Sequence, residues 1–287
     1  MKLWKKLSLL GLGVTGAIVG GTVRRGSTGW NNKTSELVEK LGRPKLLSKP
    51  RTVDFKDFER LPAPVAKYFR LVLKDGQPLI RAARIVHTGK FNISGKENGW
   101  SPFKSTQQYS VNPPGFVWDA NIKMAPLINV WVRDAYVAGK GSIQAKVLSV
   151  VSVADEHDKT ELNAGSLMRY LAEAVWLPTA LLPAEGVKWK AIDRNTALAT
   201  LSDGETTVSL EFRFNEAGEV TGVFSHERFR DVKGKYELAA WAGYFGSYEE
   251  RNGMLIPMEG TVEWQLASGA LPYWKGHITE INYEYEQ

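Results

Sequence analysis

Three groups of side chains in this 287-residue sequence have types and spacings that could do chemistry. Arg169 and Glu173 stand four apart in L-M-R-Y-L-A-E-A-V-W, one helical turn from each other on the same side. Such a pair is either a solvated surface pair or the charged lip of a cleft. His226, Arg228 and Arg230 alternate in S-H-E-R-F-R, with Glu227 and Asp231 in the opposite phase, so a strand would put the three cations on one face. Mixed with apolar residues, that face suits an amphipathic anion; balanced by Glu211 and Glu227, it is an ordinary surface. Asp119, Glu173 and His226 are the groups from which a carboxylate–histidine hydrolase or isomerase would be built, provided they come within hydrogen-bond reach.

Other chemistries lack their residues. There is no cysteine, which removes disulfides, thiolate nucleophiles and cysteine-ligated metals. His87, His157, His226 and His277 are scattered, without metal-ligand spacing. No nucleophile elbow and no phosphate-binding Walker loop is present. Gly11, Gly13 and Gly16 do spell G-x-G-x-x-G, yet a double glycine and Arg24-Arg25 follow where a dinucleotide fold needs a helix and a second strand. Asp155, Glu156, His157 and Asp158 form an acidic cluster that reads as a solvated loop. No metal and no cofactor is implied.

The element that would position Arg169 and Glu173 is the apolar stretch Asn163–Pro183. Leu167, Leu171 and Val175 repeat at four-residue spacing, with Ser166 as a cap and Pro178 as a stop, predicting a helix over 163–177. A second helix is predicted from Pro62 to Lys74, with Val65, Tyr68, Phe69 and Val72 on its apolar face. A short helix is expected within Lys33–Leu47. Elsewhere the period is two. Phe116, Trp118, Ala120 and Ile122 share one face of a strand, and Val208, Leu210, Phe212 and Phe214 one face of another. Ten or eleven strands with hairpin-length connections predict an antiparallel sheet. The fold class expected is mainly β within α+β: one large curved sheet or incomplete barrel, a central helix packed on it, and N-terminal helices. Trp118, Trp131, Trp176, Trp189, Trp241, Trp264 and Trp274 are either its core or the wall of an apolar pocket.

Charge divides the chain. Residues 1–51 hold 11 Lys and Arg against 2 Asp and Glu, whereas residues 52–287 hold 26 against 29. A nucleic-acid binder carries its positive charge on the folded body, so no nucleic acid is expected as partner. Lys2, Lys5 and Lys6 precede an uncharged run, Leu7–Val23, and Arg24-Arg25 follow it. That is the layout of a signal peptide or signal anchor. No A-x-A cleavage site ends the run, which favours an uncleaved anchor with the body outside the cytoplasm; secretion after cleavage is the alternative. The division expected is 1–25 anchor or signal peptide, 26–54 basic linker with a short helix, and 55–287 one β-rich domain.

Long words across residues 55–285 resemble a bacterial family known only as a domain of unknown function. They include L-P-A-P-V-A-K-Y-F-R (61–70), N-P-P-G-F-V-W-D-A (112–120), L-M-R-Y-L-A-E-A-V-W-L-P-T-A-L-L-P (167–183) and L-P-Y-W-K-G-H-I-T-E-I (271–281). The resemblance implies no reaction. A long antiparallel sheet with one helical insertion is also similar in topology to the periplasmic lipoprotein-carrier (LolA-type) architecture, in which an incomplete barrel holds acyl chains. The expectation is therefore a membrane-anchored envelope protein that binds a hydrophobic or lipid-like ligand between sheet and central helix. Its N-terminal segment would meet membrane lipids, and Trp118, Arg169, Glu173, Trp176, His226 and Arg228 would line the site. The other readings are the hydrolase or isomerase above, and an assembly factor that pairs through a sheet edge.

Overall fold

The computed structural model describes residues 16–42, 50–93 and 99–286. Most of the expected Leu7–Val23 anchor lies outside them. Among the described residues no helix is long and apolar enough to cross a membrane.

Thirteen strands form a single antiparallel sheet. The first six are β1 (Ile80–Asn92), β2 (Trp100–Ser110), β3 (Gly115–Ala125), β4 (Ile128–Val137), β5 (Lys140–Val147) and β6 (Val151–His157). After a helical interruption come β7 (Lys188–Ala191), β8 (Thr196–Asp203), β9 (Thr206–Phe214) and β10 (Val220–Val232). The last three are β11 (Lys235–Arg251), β12 (Met254–Leu266) and β13 (Gly269–Tyr285). Every strand pairs with its sequence neighbours except across that interruption, and β1 closes on β13, from Ile80 opposite Tyr285 to Phe91 opposite Trp274. The sheet edges are therefore β6 and β7. Among these strands β6 was not expected, because its acidic end looked like loop. Asp155, Glu156 and His157 lie on it, the first and last exposed and Glu156 half-buried, with Lys159 bonded to Glu156 and Lys140 to Asp158.

The interruption is the central helical segment. Helix α3 runs Thr160–Glu173, and three single 3-10 turns continue it to Glu185. It starts earlier than predicted, so Ser166 is not its cap but a buried mid-helix residue. Leu167, Leu171 and Val175 are fully buried, as their spacing demands; each such side chain contributes about 1.5–3 kcal/mol. The helix touches β4 and β5 on one side and β9 and β10 on the other, so it straps the two ends of the sheet together across the inner face. Gly141 permits the close approach: a Cβ there would lie 2.7 Å from the Leu162 carbonyl oxygen and the Ser166 Oγ. The Asn163 side chain accepts the Gly141 N–H at 2.7 Å. Where the segment ends, Arg51 holds both Glu185 and Glu286 and so ties together an N-terminal stretch, the segment and the residue that follows the last strand.

Helix α2 (Ala63–Val72) buries Val65, Tyr68, Phe69 and Val72, the face predicted. The N-terminal region departs further from expectation. The short helix expected within 33–47 is the end of a longer one, α1 (Gly16–Leu41), 26 residues long. G-S-T-G-W-N-N, which resembles a linker, is its middle. Gly26 and Gly29 each disfavour a helix by about 1 kcal/mol, and docking overrides them. Trp30 is 2% exposed and donates to both oxygens of Asp119, at 2.9 and 3.1 Å. Arg133 lies with its guanidinium 4.2 Å over the Trp30 ring and donates to the Trp30 carbonyl and to Thr34. Asp119 and Arg133 are partners across β3 and β4 on the face opposite Trp118. Helix α1 thus covers the outer face of the sheet while α3 covers the inner one.

Candidate functional site

Between α3 and the inner face lies a cavity of about 250 Å³. Its wall carries five indoles: Trp118 from β3, Trp176 from the first 3-10 turn, Trp241, Trp264 and Trp274 from the last three strands. Of the seven tryptophans considered above, the other two serve elsewhere. Trp131 stands 6.2 Å from Trp30, under α1, and Trp189 packs on Phe69 and Phe212. The rings are held by one another and by missing side chains. Trp176 and Trp274 are 6.4 Å apart, and a Cβ at Gly276 would fall inside the Trp274 ring. Under them lies His87, wholly buried and 5.0 Å from Trp176. Burial holds its imidazole neutral, with a pKa lowered to about 3, helped by the charge on Arg169.

Charged groups enter this apolar wall at two points. Arg169 and Glu173 are not a surface pair. Their side chains are 17% and 14% exposed, and Arg169 Nε donates to Glu173 Oε1 at 2.7 Å. Arg169 also reaches Asp134 on β4 at 2.7 Å, and its guanidinium lies 4.9 and 5.1 Å over Phe116 and Trp118. The second Glu173 oxygen accepts from Gln107 at 2.7 Å and from the Tyr109 hydroxyl at 2.9 Å. Burial disfavours the Arg169 charge, but Glu173 and Asp134 more than offset it, and its pKa is raised. Burial, and then the Glu173 charge, push the Tyr109 hydroxyl well up, so it stays a donor.

The second point is Arg228, which has no such partners among the described residues. It lies 4.4 Å over Trp241 and donates through Nη2 to the Gly165 carbonyl of α3 at 3.1 Å. Its Nη1 is buried without a hydrogen-bond partner. Burial lowers its pKa.

Five of the six residues singled out from the sequence, Trp118, Arg169, Glu173, Trp176 and Arg228, line this cavity. His226 does not. Its side chain is 76% exposed and bonds Glu211 at 3.1 Å on the other face of the sheet. The cause is a β-bulge: Ser225 opposes Trp241, but it is Arg228 that opposes Ala239, so one extra residue on β10 inverts the alternation between His226 and Arg228. Arg228 turns inward and His226 outward. Asp119 is also absent, held by Trp30 and Thr34 under α1. The Asp119, Glu173 and His226 set therefore does not converge.

Asp134, Gln107 and Tyr109 complete the polar cluster and were missed by sequence reasoning. Asp134 sits in W-V-R-D-A-Y, where only the strand's phase relative to Trp118, its partner across β3 and β4, marks it as inward.

Fold and site together define an open antiparallel barrel, strapped by a helix around an indole-lined cavity. By sequence the chain belongs to DUF6920, a family of unknown function whose family model matches residues 59–283. No curated protein matches. Among solved structures it is similar to a LolA superfamily protein from Nitrosomonas europaea, at 8% identity and a TM-score of 0.37, over 77% of this chain and 92% of that one. It is also similar to a beta-barrel-like protein of domain of unknown function DUF1849 from Brucella abortus, at 11% identity and a TM-score of 0.22, over 72% and 99%. Likeness at this level carries no functional argument; the cavity alone does.

Proposed function

We propose that this chain is an envelope protein, held at a membrane by its N-terminal segment, whose body receives a hydrophobic or lipid-like molecule in the cavity between sheet and α3. The carrying observation is the cavity itself. It is walled by five tryptophans, roofed by an apolar helix and entered by few polar groups, the composition that favours an apolar guest.

Membrane association rests on separate support. The uncharged run Leu7–Val23, with Lys2, Lys5 and Lys6 before it, leads into α1. Ser27 of that helix lies 3.2 Å from Ser149, in the turn between β5 and β6. Beside it Val150 and Val151 are exposed. Leu127 is 93% exposed and Ile128 is exposed too, at the β3–β4 turn, which strand alternation puts at the same end of the sheet. Arg24 and Arg25 are exposed on α1. An apolar rim with adjacent cations suits an anionic lipid surface. The body would then stand on the periplasmic or extracellular side, the orientation that the heavier charge before the run favours.

The test is mass spectrometry of organic extracts from the protein purified in native form from membranes. A stoichiometric hydrophobic molecule is expected, and its loss from a variant whose cavity is filled, Gly260→Leu, ties it to the site. Extracts with no such molecule, from protein that also takes up none when offered lipid vesicles, would refute the reading.

A further inference from the structure

We propose that the guest is a single-chain amphiphile with a carboxylate head, and that Arg228 is the group that receives the head. This rests on the reading of the cavity as a binding site and specifies its ligand.

The first observation is place. Arg228 lines the cavity and also two outer grooves, one running past Ser166 and Tyr236, the other past Phe224 and His226. It therefore stands in the wall between interior and surface, where an amphiphile changes from chain to head.

The second is unused capacity. Arg169 has its carboxylates, Glu173 and Asp134, whereas Arg228 Nη1 is buried with no partner among the described residues. A buried guanidinium without an oxyanion is costly, and a carboxylate is its geometric complement. The indole N–H groups of Trp118, Trp176 and Trp274 are likewise buried without acceptors. Against these four donors, the cavity-lining residues have one buried acceptor without a partner, Asp134 Oδ1. That imbalance selects a guest rich in acceptors over an alcohol or an ammonium.

The third is size. The cavity, about 250 Å³, lies near the lower end of the roughly 300–1,000 Å³ range of small-molecule sites. That is the scale of one small amphiphile.

The test is titration of the full chain, freed of bound lipid, with four probes of equal chain length: dodecanoate, methyl dodecanoate, dodecanol and dodecyltrimethylammonium. Tryptophan fluorescence and calorimetry report binding. Dodecanoate is expected to bind tightest and the ammonium weakest. Arg228→Met should weaken dodecanoate by roughly tenfold or more while changing the methyl ester little, since only the charged head loses its partner. Arg228→Lys should retain part of the preference.

If Arg228→Met does not fold, the order of the probes on the wild-type chain decides. Equal affinity for dodecanoate and dodecanol, or a stronger ammonium, overturns the carboxylate head and leaves the cavity as an apolar site. A folded Arg228→Met that keeps the carboxylate preference removes Arg228 from the head site. Binding of none of the four defeats this proposal and the proposed function together.

Discussion

Arg169 and Arg228 line the same cavity, and among the described residues only Arg169 of the two holds carboxylates. The first arginine is part of the scaffold and the second is available to a guest. This difference separates the effects expected on stability from those expected on binding.

Removing one member of the buried cluster should be severe. Glu173→Ala leaves Arg169 with Asp134 alone and strands the Gln107 and Tyr109 donors. A loss of about 3–5 kcal/mol is expected in chemical denaturation, the usual cost of breaking a buried pair on one side. A change below about 1 kcal/mol would return the pair to the surface, where such contacts are worth little.

Leu171→Asp should be worse still. Leu171 is wholly buried where α3 docks, and an unpaired carboxylate there cannot reach water. The expected outcome is a chain that fails to fold at room temperature, read by far-ultraviolet dichroism. A melting temperature near that of the natural chain would mean that the helix does not dock on the sheet.

Detaching α1 should leave the sheet intact. Trp30→Ala removes the ring under Arg133 and the two bonds to Asp119, at a cost of about 3–5 kcal/mol for a buried tryptophan. Hydrogen exchange is the proper measurement. Amides of 22–41 should lose protection while those of β11–β13 keep theirs; uniform loss throughout would show that α1 is part of the core unit.

His87 makes stability fall with acid. Its folded pKa is about 3 against 6.5 unfolded, so between these values the unfolded chain binds more protons and stability is lost as pH drops below 6.5. Relative to His87→Leu, the natural chain should lose about 2 kcal/mol by pH 5, at about 1.36 kcal/mol per unit. The comparison with the variant is needed because Glu185, raised by burial to about 7, has the opposite slope over 4.5 to 7. Parallel stability curves for the two chains would show that the imidazole is reached by water.

At the membrane, Leu127→Ser with Ile128→Ser should lower sedimentation with anionic vesicles severalfold and leave the melting temperature unchanged, since both side chains are exposed. Unaltered sedimentation would confine membrane contact to the N-terminal segment.

Local patterns carried much of this architecture. Alternation in β3 and β9, the four-residue repeat of Leu167, Leu171 and Val175, and the apolar face of α2 each arise within one element, so single-sequence periodicity reveals them. Arg169 and Glu173 could be singled out because an apolar helix leaves few places for a charge. Their partners could not, since Asp134 and Tyr109 come from strands 35 and 64 residues distant. His226 failed for a different reason. A bulge is one residue of slack in pairing, invisible in a count of alternating positions, and it exchanges the faces of every residue beyond it. The glycines around Trp30 misled as well, because tertiary docking on Asp119 and Arg133 outweighs a weak local propensity.

The pairing of β1 with β13 sets a condition on how the molecule can be made. Residues near 80 must wait for partners near 285, which are made long after them. Until then the nascent chain consists of two unjoined half-sheets, each with an unsatisfied margin and with tryptophans facing solvent. The chain therefore depends during synthesis on whatever shields those margins.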